Sequence, residues 1–174
     1  MKRLIVAIAA FVLLLNAHAS AAGAHAQSTQ SAAKKASAIQ VLMIQSDEIK
    51  LPPEFQISLY ENLIQQLEKH GGFHVYRDGD RNAANSADLV VLHSTVRGFK
   101  KGSELQRQVT TVAGKTSIKV HCWFTDSSGA TVLERDLDGK VLFLGGNLRA
   151  TFDFAKKAAK LAHDNFAATQ MSGS

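Results

Sequence analysis

Apolar residues follow three rhythms along this chain. From Leu4 to Leu15 they run without a break, and from residue 39 onward they recur either every second position or every third to fourth. Residues 27–37, rich in Ser, Ala and Gln and carrying Lys34 and Lys35, follow no period and read as a flexible linker. Residues 39–44 (IQVLMI) are almost continuously apolar, as in a central strand covered on at least one face. Phe55, Leu59, Leu63 and Leu67 then recur every four residues, with Tyr60 and Ile64 widening the stripe, which predicts an amphipathic helix. Pro53 suits its first position and Glu54 complements its dipole. Gly71-Gly72 ends it after Lys69 and His70.

Downstream, the period shortens to two. Residues 73–76 predict a short strand, 78–86 a polar loop and 87–99 a longer strand. Lys100-Lys101-Gly102-Ser103 reads as a turn into a strand over 105–112, with Gly114 a bulge or bend before a strand segment over 116–125. Asp126-Ser127-Ser128-Gly129 is a hairpin turn, and 131–144 is the last strand, with Gly139 a bulge. Gly145-Gly146 breaks it. A final helix over 148–167 buries Leu148, Phe152, Ala155, Ala159, Ala162 and Phe166, and the tail 169–174 frays. The order β-α-β-β-β-β-α predicts an α+β fold: a mixed, mainly antiparallel sheet of about five strands with two helices on one face, forming a single αβ domain over residues 38–168. The first strand, its helix and the second strand form a right-handed parallel crossover, and the remaining connections are hairpins.

Four features also carry a resemblance. They are the helix ending in Gly72-Phe73-His74-Val75, Ala87-Asp88 entering an apolar strand, the Asp126-to-Gly129 hairpin, and Gly145-Gly146 before an Ala-rich helix. Together, over roughly residues 39–166, they resemble a family of bacterial envelope proteins, domain of unknown function 4410, many of whose members are lipoproteins. More distantly, the layout is similar to small αβ domains of envelope assembly proteins, such as those of the Tol-system propeller protein and the curli-export lipoprotein. The resemblance implies an envelope location and brings no catalytic residues with it.

The unbroken apolar run completes the address. Lys2-Arg3 precede it, and Ala17-His18-Ala19 and Ala24-His25-Ala26 follow it as small-x-small cleavage sites, the layout of a secretory signal peptide over residues 1–26. Cleavage is expected after Ala26, with Ala19 the second choice. The run spans about 18 Å as a helix, against a hydrocarbon core of about 30 Å, so it is too short for a transmembrane span. Unlike many members of the envelope family, the chain has no lipobox cysteine, and no lipid anchor is expected. The protein therefore reads as periplasmic or secreted.

Charge narrows the class of partner. Removing Lys2 and Arg3 with the signal takes two charges from the formal +5, and Lys34 and Lys35 lie in the linker, so the folded part is nearly neutral. That argues against nucleic acid, which needs a concentrated basic face. Arg97, Lys100, Lys101 and Arg107 cluster around one hairpin; a solvated loop explains them, and an acidic partner or lipid headgroup is the alternative. Cys122 is the only cysteine, and it shares the apolar phase of a strand with Ile118, Val120 and Phe124, so burial is expected rather than reactivity.

Candidate chemistry is sparse. Glu134, Asp136 and Asp138 share one strand face, a spacing that could serve acid/base work or a hard cation. A cross-strand charge ladder explains them better: a two- or four-residue turn makes partner numbers sum to an odd number, which sets the acids opposite or beside Lys119 and His121. His70, His74, His93, His121 and His163 show no metal-ligand spacing, although His93 and His121 could meet across neighbouring strands. Gly145-Gly146-Asn147-Leu148-Arg149 lacks a phosphate-loop signature and reads as a connector. No nucleophile motif is present, so no catalytic residue, cofactor or metal is assigned. Trp123, the only tryptophan, falls on the phase opposite Cys122, with Lys119 and His121 beside it. Leu89, Val91 and His93 share that open face if Val90 and Leu92 face the core. The reading is an exported, non-enzymatic adaptor or binding module. It would engage an envelope protein through an open sheet face or an edge strand, with Trp123, His121, Lys119, His93 and Val91 as the contact residues. The alternative is a small-ligand or metal-binding periplasmic protein using the His93/His121 region.

Overall fold

The computed structural model describes residues 35–103, 105–106, 114–141 and 146–167. Its elements run β1 (Ala38–Val41), α1 (Pro53–His70), β2 (His74–Arg77), a short 3-10 helix (Arg81–Asn85), β3 (Leu89–Lys100), β4 (Thr116–Asp126), β5 (Thr131–Val141) and α2 (Arg149–Phe166). The predicted signal peptide, most of the linker, Arg107, the rest of the 105–112 strand, the end of the last strand at 142–144, Gly145 and the tail lie outside the described residues.

The five strands form one mixed sheet in the order β2-β1-β3-β4-β5, the α+β fold that the periodicities predict. β1 pairs parallel with β2 and with β3, while β3–β4 and β4–β5 are antiparallel. One connection differs from expectation. β2 and β3 are not a hairpin; the chain passes from β2 to the far side of β1. Residues 39–44 are apolar enough to lie between two neighbours, and β1 takes that central place.

The helices cover one sheet face. Ile39, Val41, Val90, Leu92, Val96, Ile118, Val120, Cys122 and Phe124 lie in one core with Leu59, Leu63, Ile64 and Leu67 of α1 and Phe154, Ala155, Ala158, Ala159, Ala162 and Phe166 of α2. α1 starts without a side-chain cap: the N–H groups of Phe55 and Gln56 donate to the Pro52 carbonyl at 2.9 and 3.2 Å. It ends because Gly72 turns to φ +70°, a conformation costly for any side chain.

Three local expectations are corrected. Gly139 is not a bulge; it pairs in register with Ile118. A Cβ there would sit 2.0 Å from the Ala150 carbonyl oxygen, so the glycine lets α2 lie against β5. The α2 stripe is also rotated: Phe154 is buried and Phe152 is exposed, as is Leu148, because the 3.6-residue period runs through Thr151, Phe154, Ala155, Ala158, Ala162 and Phe166. Finally, Leu105 and Gln106 are helical rather than the start of a strand, and the Ser103 hydroxyl accepts from the Gln106 N–H at 3.3 Å, as an N-cap does.

Candidate functional site

The sheet face turned away from the helices is built by strand parity. Beyond the hairpin, β4 and β5 partner numbers sum to an odd value, so Cys122 pairs with Arg135, His121 with Asp136 and Trp123 with Glu134. The turn alone does not set this parity: it leaves Thr125 opposite Thr131, an even sum, and a register shift beside Phe124, with Val132 the extra residue on β5, restores the odd sums that a two- or four-residue turn was expected to give. The Asp126 carboxylate accepts from the Ser128 and Ala130 N–H groups at 2.8 and 3.2 Å, and Gly129 takes φ +83°. On the other side, His93 pairs with Trp123 and Thr95 with His121. Val91, His93 and Thr95 of β3, Lys119, His121, Trp123 and Thr125 of β4, and Glu134, Asp136 and Asp138 of β5 therefore share the open face.

Trp123 is held rather than loose. The His93 ring stacks on it, with centroids 5.0 Å apart and planes 9° from parallel, and the His121 ring lies 5.6 Å away, tilted by 32°. His93 is fixed in turn by Nε2 against the Thr125 hydroxyl at 3.1 Å. Partial burial holds His93 below the ordinary imidazole pKa, so it stays neutral where an exposed histidine would begin to charge. His121 is clamped by two carboxylates, with Nδ1 2.8 Å from Asp136 and Nε2 3.2 Å from Glu134.

The sequence-predicted contact residues are thus brought together unequally. Trp123, His93 and His121 form one ring cluster with Val91 beside it on β3, while Lys119 faces Asp138 in register without taking its charge. Asp138 instead pairs with Lys140 and with Lys157, which reaches around from α2 at 3.5 Å. These lysines hold the Asp138 carboxyl below its usual range. Thr125, Glu134 and Asp136, which fix the imidazoles, were not among the predicted contacts; their place in the same strand phase is the signal that marks them. The His93 and His121 rings both lie against Trp123. Among the described residues no group of three or more His, Cys, Asp or Glu is arranged to hold a metal.

A concave feature lies on the helical side. A groove of about 550 Å³ is lined by His70, Asp153, Lys156, Lys157, Lys160, His163 and Asp164. Its charges are largely spent on one another, with Lys157 2.9 Å from Asp153 and Lys160 2.6 Å from Asp164, both pairs one helical turn apart. No helix among the described residues is long and apolar enough to cross a membrane.

No family model matches the chain, and no curated protein matches it. Among solved structures it is similar to PelC dodecamers from Paraburkholderia phytofirmans in two crystal forms, at 15% and 16% identity and TM-scores of 0.59 and 0.58. Those matches cover 80% and 79% of this chain and 94% and 95% of PelC. The hypothetical protein CT253 from Chlamydia trachomatis matches at 11% identity and a TM-score of 0.46, over 72% of this chain and 92% of that one. Likeness at these identities is likeness of fold.

Proposed function

We propose that this chain is an exported, non-enzymatic binding module of the bacterial cell envelope that holds a protein partner on its open sheet face. The observation that carries the reading is the place of the sole tryptophan. Trp123 stands on the face turned away from both described helices, fixed by His93 and bordered by Val91, Lys119 and His121. An aromatic with apolar neighbours inside a charged rim has the composition of a protein-binding patch. A side chain already held in one orientation also loses less freedom on binding. Export is supported by the signal-peptide layout of residues 1–26.

The test pairs partner recovery with stability for Trp123→Ala. Recovery of the partner from envelope extracts should fall tenfold or more, as for an aromatic hot spot. The urea midpoint should report a loss of about 0.5–1.5 kcal/mol, the worth of an aromatic stack, rather than the roughly 3–5 kcal/mol of a core tryptophan. A core-sized loss, or unchanged recovery, overturns the reading. The intact mass of the exported protein should begin at Gln27 and carry no acyl chain. A second reading, self-association, is favoured by the dodecamers that PelC builds on this fold; light scattering of the full chain over a dilution series checks it.

A further inference from the structure

Among the described residues β5 is the edge strand of the sheet, and its outer edge is divided in two. Along an antiparallel strand, alternate residues turn both backbone groups toward the same side. In β5 the even-numbered residues turn theirs outward. At the C-terminal half two of these groups are taken by side chains of α2: the Lys140 N–H donates to Asp153 Oδ2 at 2.9 Å, and Lys157 Nζ donates to the Asp138 carbonyl at 2.7 Å. At the N-terminal half no described residue meets the outward N–H of Glu134 or either outward group of Asp136, and the Glu134 carbonyl accepts only from the adjacent Arg135 guanidinium at 3.2 Å.

Charge divides at the same point. Where the edge is covered, Asp138 is neutralised by Lys140 and Lys157. Where it is open, the Glu134 and Asp136 side chains are 59% and 83% exposed and share His121 alone. An unpaired edge is a template for another strand unless it is blunted, and only half of this one is blunted.

We propose that the open part of the β5 edge, from Leu133 to Asp136 beyond the irregularity at Val132, docks an extended segment of a partner protein with Lys or Arg at alternate positions, which pairs antiparallel as a sixth strand. In that arrangement one set of the partner's side chains stands about 4.5–5.5 Å across from Glu134 and Asp136, where opposite charge attracts and like charge repels. The same geometry disfavours a second copy, because antiparallel self-pairing centred on Arg135 sets Glu134 against Asp136. The inference rests on the reading of the chain as a binding module; it uses the backbone edge of β5, while the Glu134 and Asp136 side chains also clamp His121 of the Trp123 cluster.

The test follows amide hydrogen exchange by NMR in the full chain at about 50 mM salt, with a nine-residue probe peptide alternating Lys and Val. In the protein alone, the Glu134 and Asp136 amides exchange quickly and the Lys140 amide slowly. The probe should slow Glu134 and Asp136 at least tenfold and leave Lys140 as it was. A peptide alternating Glu and Val, or the Lys probe N-methylated on its pairing backbone, should do neither. Glu134→Lys with Asp136→Lys should weaken the probe about tenfold, Glu134→Gln with Asp136→Asn should weaken it less, and circular dichroism verifies that both fold. Asp153→Ala should extend the probe's protection to Lys140. Protection mapped elsewhere, equal binding of the Glu peptide, or no protection at saturating probe overturns the proposal. Trp123→Ala should leave the probe's protection of the β5 amides in place while partner recovery falls, so that failure at the edge and failure at the open face are read separately.

Discussion

Cys122 lies between Val120 and Phe124 in the core, with Sγ 3.7 Å from the Ser94 hydroxyl. Burial pushes its thiol up from the ordinary value near 9.0 to about 12. The unfolded chain therefore releases this proton at lower pH than the folded protein does. Between the two values the folded state binds more protons, so stability falls as pH rises, by up to about 1.4 kcal/mol per pH unit. Urea midpoints at pH 7, 9 and 10.5 should decline more steeply for the native chain than for Cys122→Ala, and the native thiol should resist reagents that label the denatured chain. Parallel slopes would show the thiol in water. The burial of this residue was legible in sequence because Ile118, Val120, Cys122 and Phe124 share one phase; parity fixes the side of a sheet regardless of what covers it. What it could not show is which partner each open-face group would choose. Lys119 is opposite Asp138 by register, yet two lysines nearer the edge take the carboxylate.

At the scale of elements, the glycine at 139 shows how one small residue serves a layer contact. α2 crosses β5 closely enough that a methyl group would overlap the Ala150 carbonyl and press on Phe154 Cβ, 2.9 Å away. Gly139→Ala should cost about 1–3 kcal/mol, the range for overpacking, read as a drop in urea midpoint. An unchanged midpoint would mean that the helix can slide away. The sequence offered a bulge here because glycine inside a strand signals either a bulge or a close approach, and only the position of α2 chooses between them. The rotated stripe of α2 has a similar origin. Phe152 and Phe154 are both placed to face inward under slightly different helix phases, and an Ala-rich helix tolerates either until it docks. α1, whose leucines recur at fixed four-residue steps, left no such freedom, and each of its predicted stripe residues is buried.

Across the whole molecule, the first and last described segments are joined. The Ala36 N–H donates to the Phe166 carbonyl at 3.0 Å, and the Phe166 ring lies 5.1 Å from that of Phe124 in β4. The last turn of α2 thus ties the start of β1 to the middle of the sheet. Phe166→Ala should cost about 3–5 kcal/mol by the urea midpoint, well above Trp123→Ala, although both are large aromatics, one packed on β4 and the other part of it. Equal costs would mean that the open face is packed like the core.

Local pattern alone was enough to determine the two helices, the apolar phase of β4, a hairpin at Asp126 and the face on which Trp123 stands, because these depend on periods of two and 3.6 and on turn residues a few positions apart. Tertiary structure alone decided that β3 lies on the far side of β1 from β2, that Gly139 receives a helix, that Trp123 stacks on His93, and that α2 shields half of the β5 edge. Each of these is a contact between segments far apart in the chain, and no local period encodes which of several chemically acceptable neighbours a residue will meet.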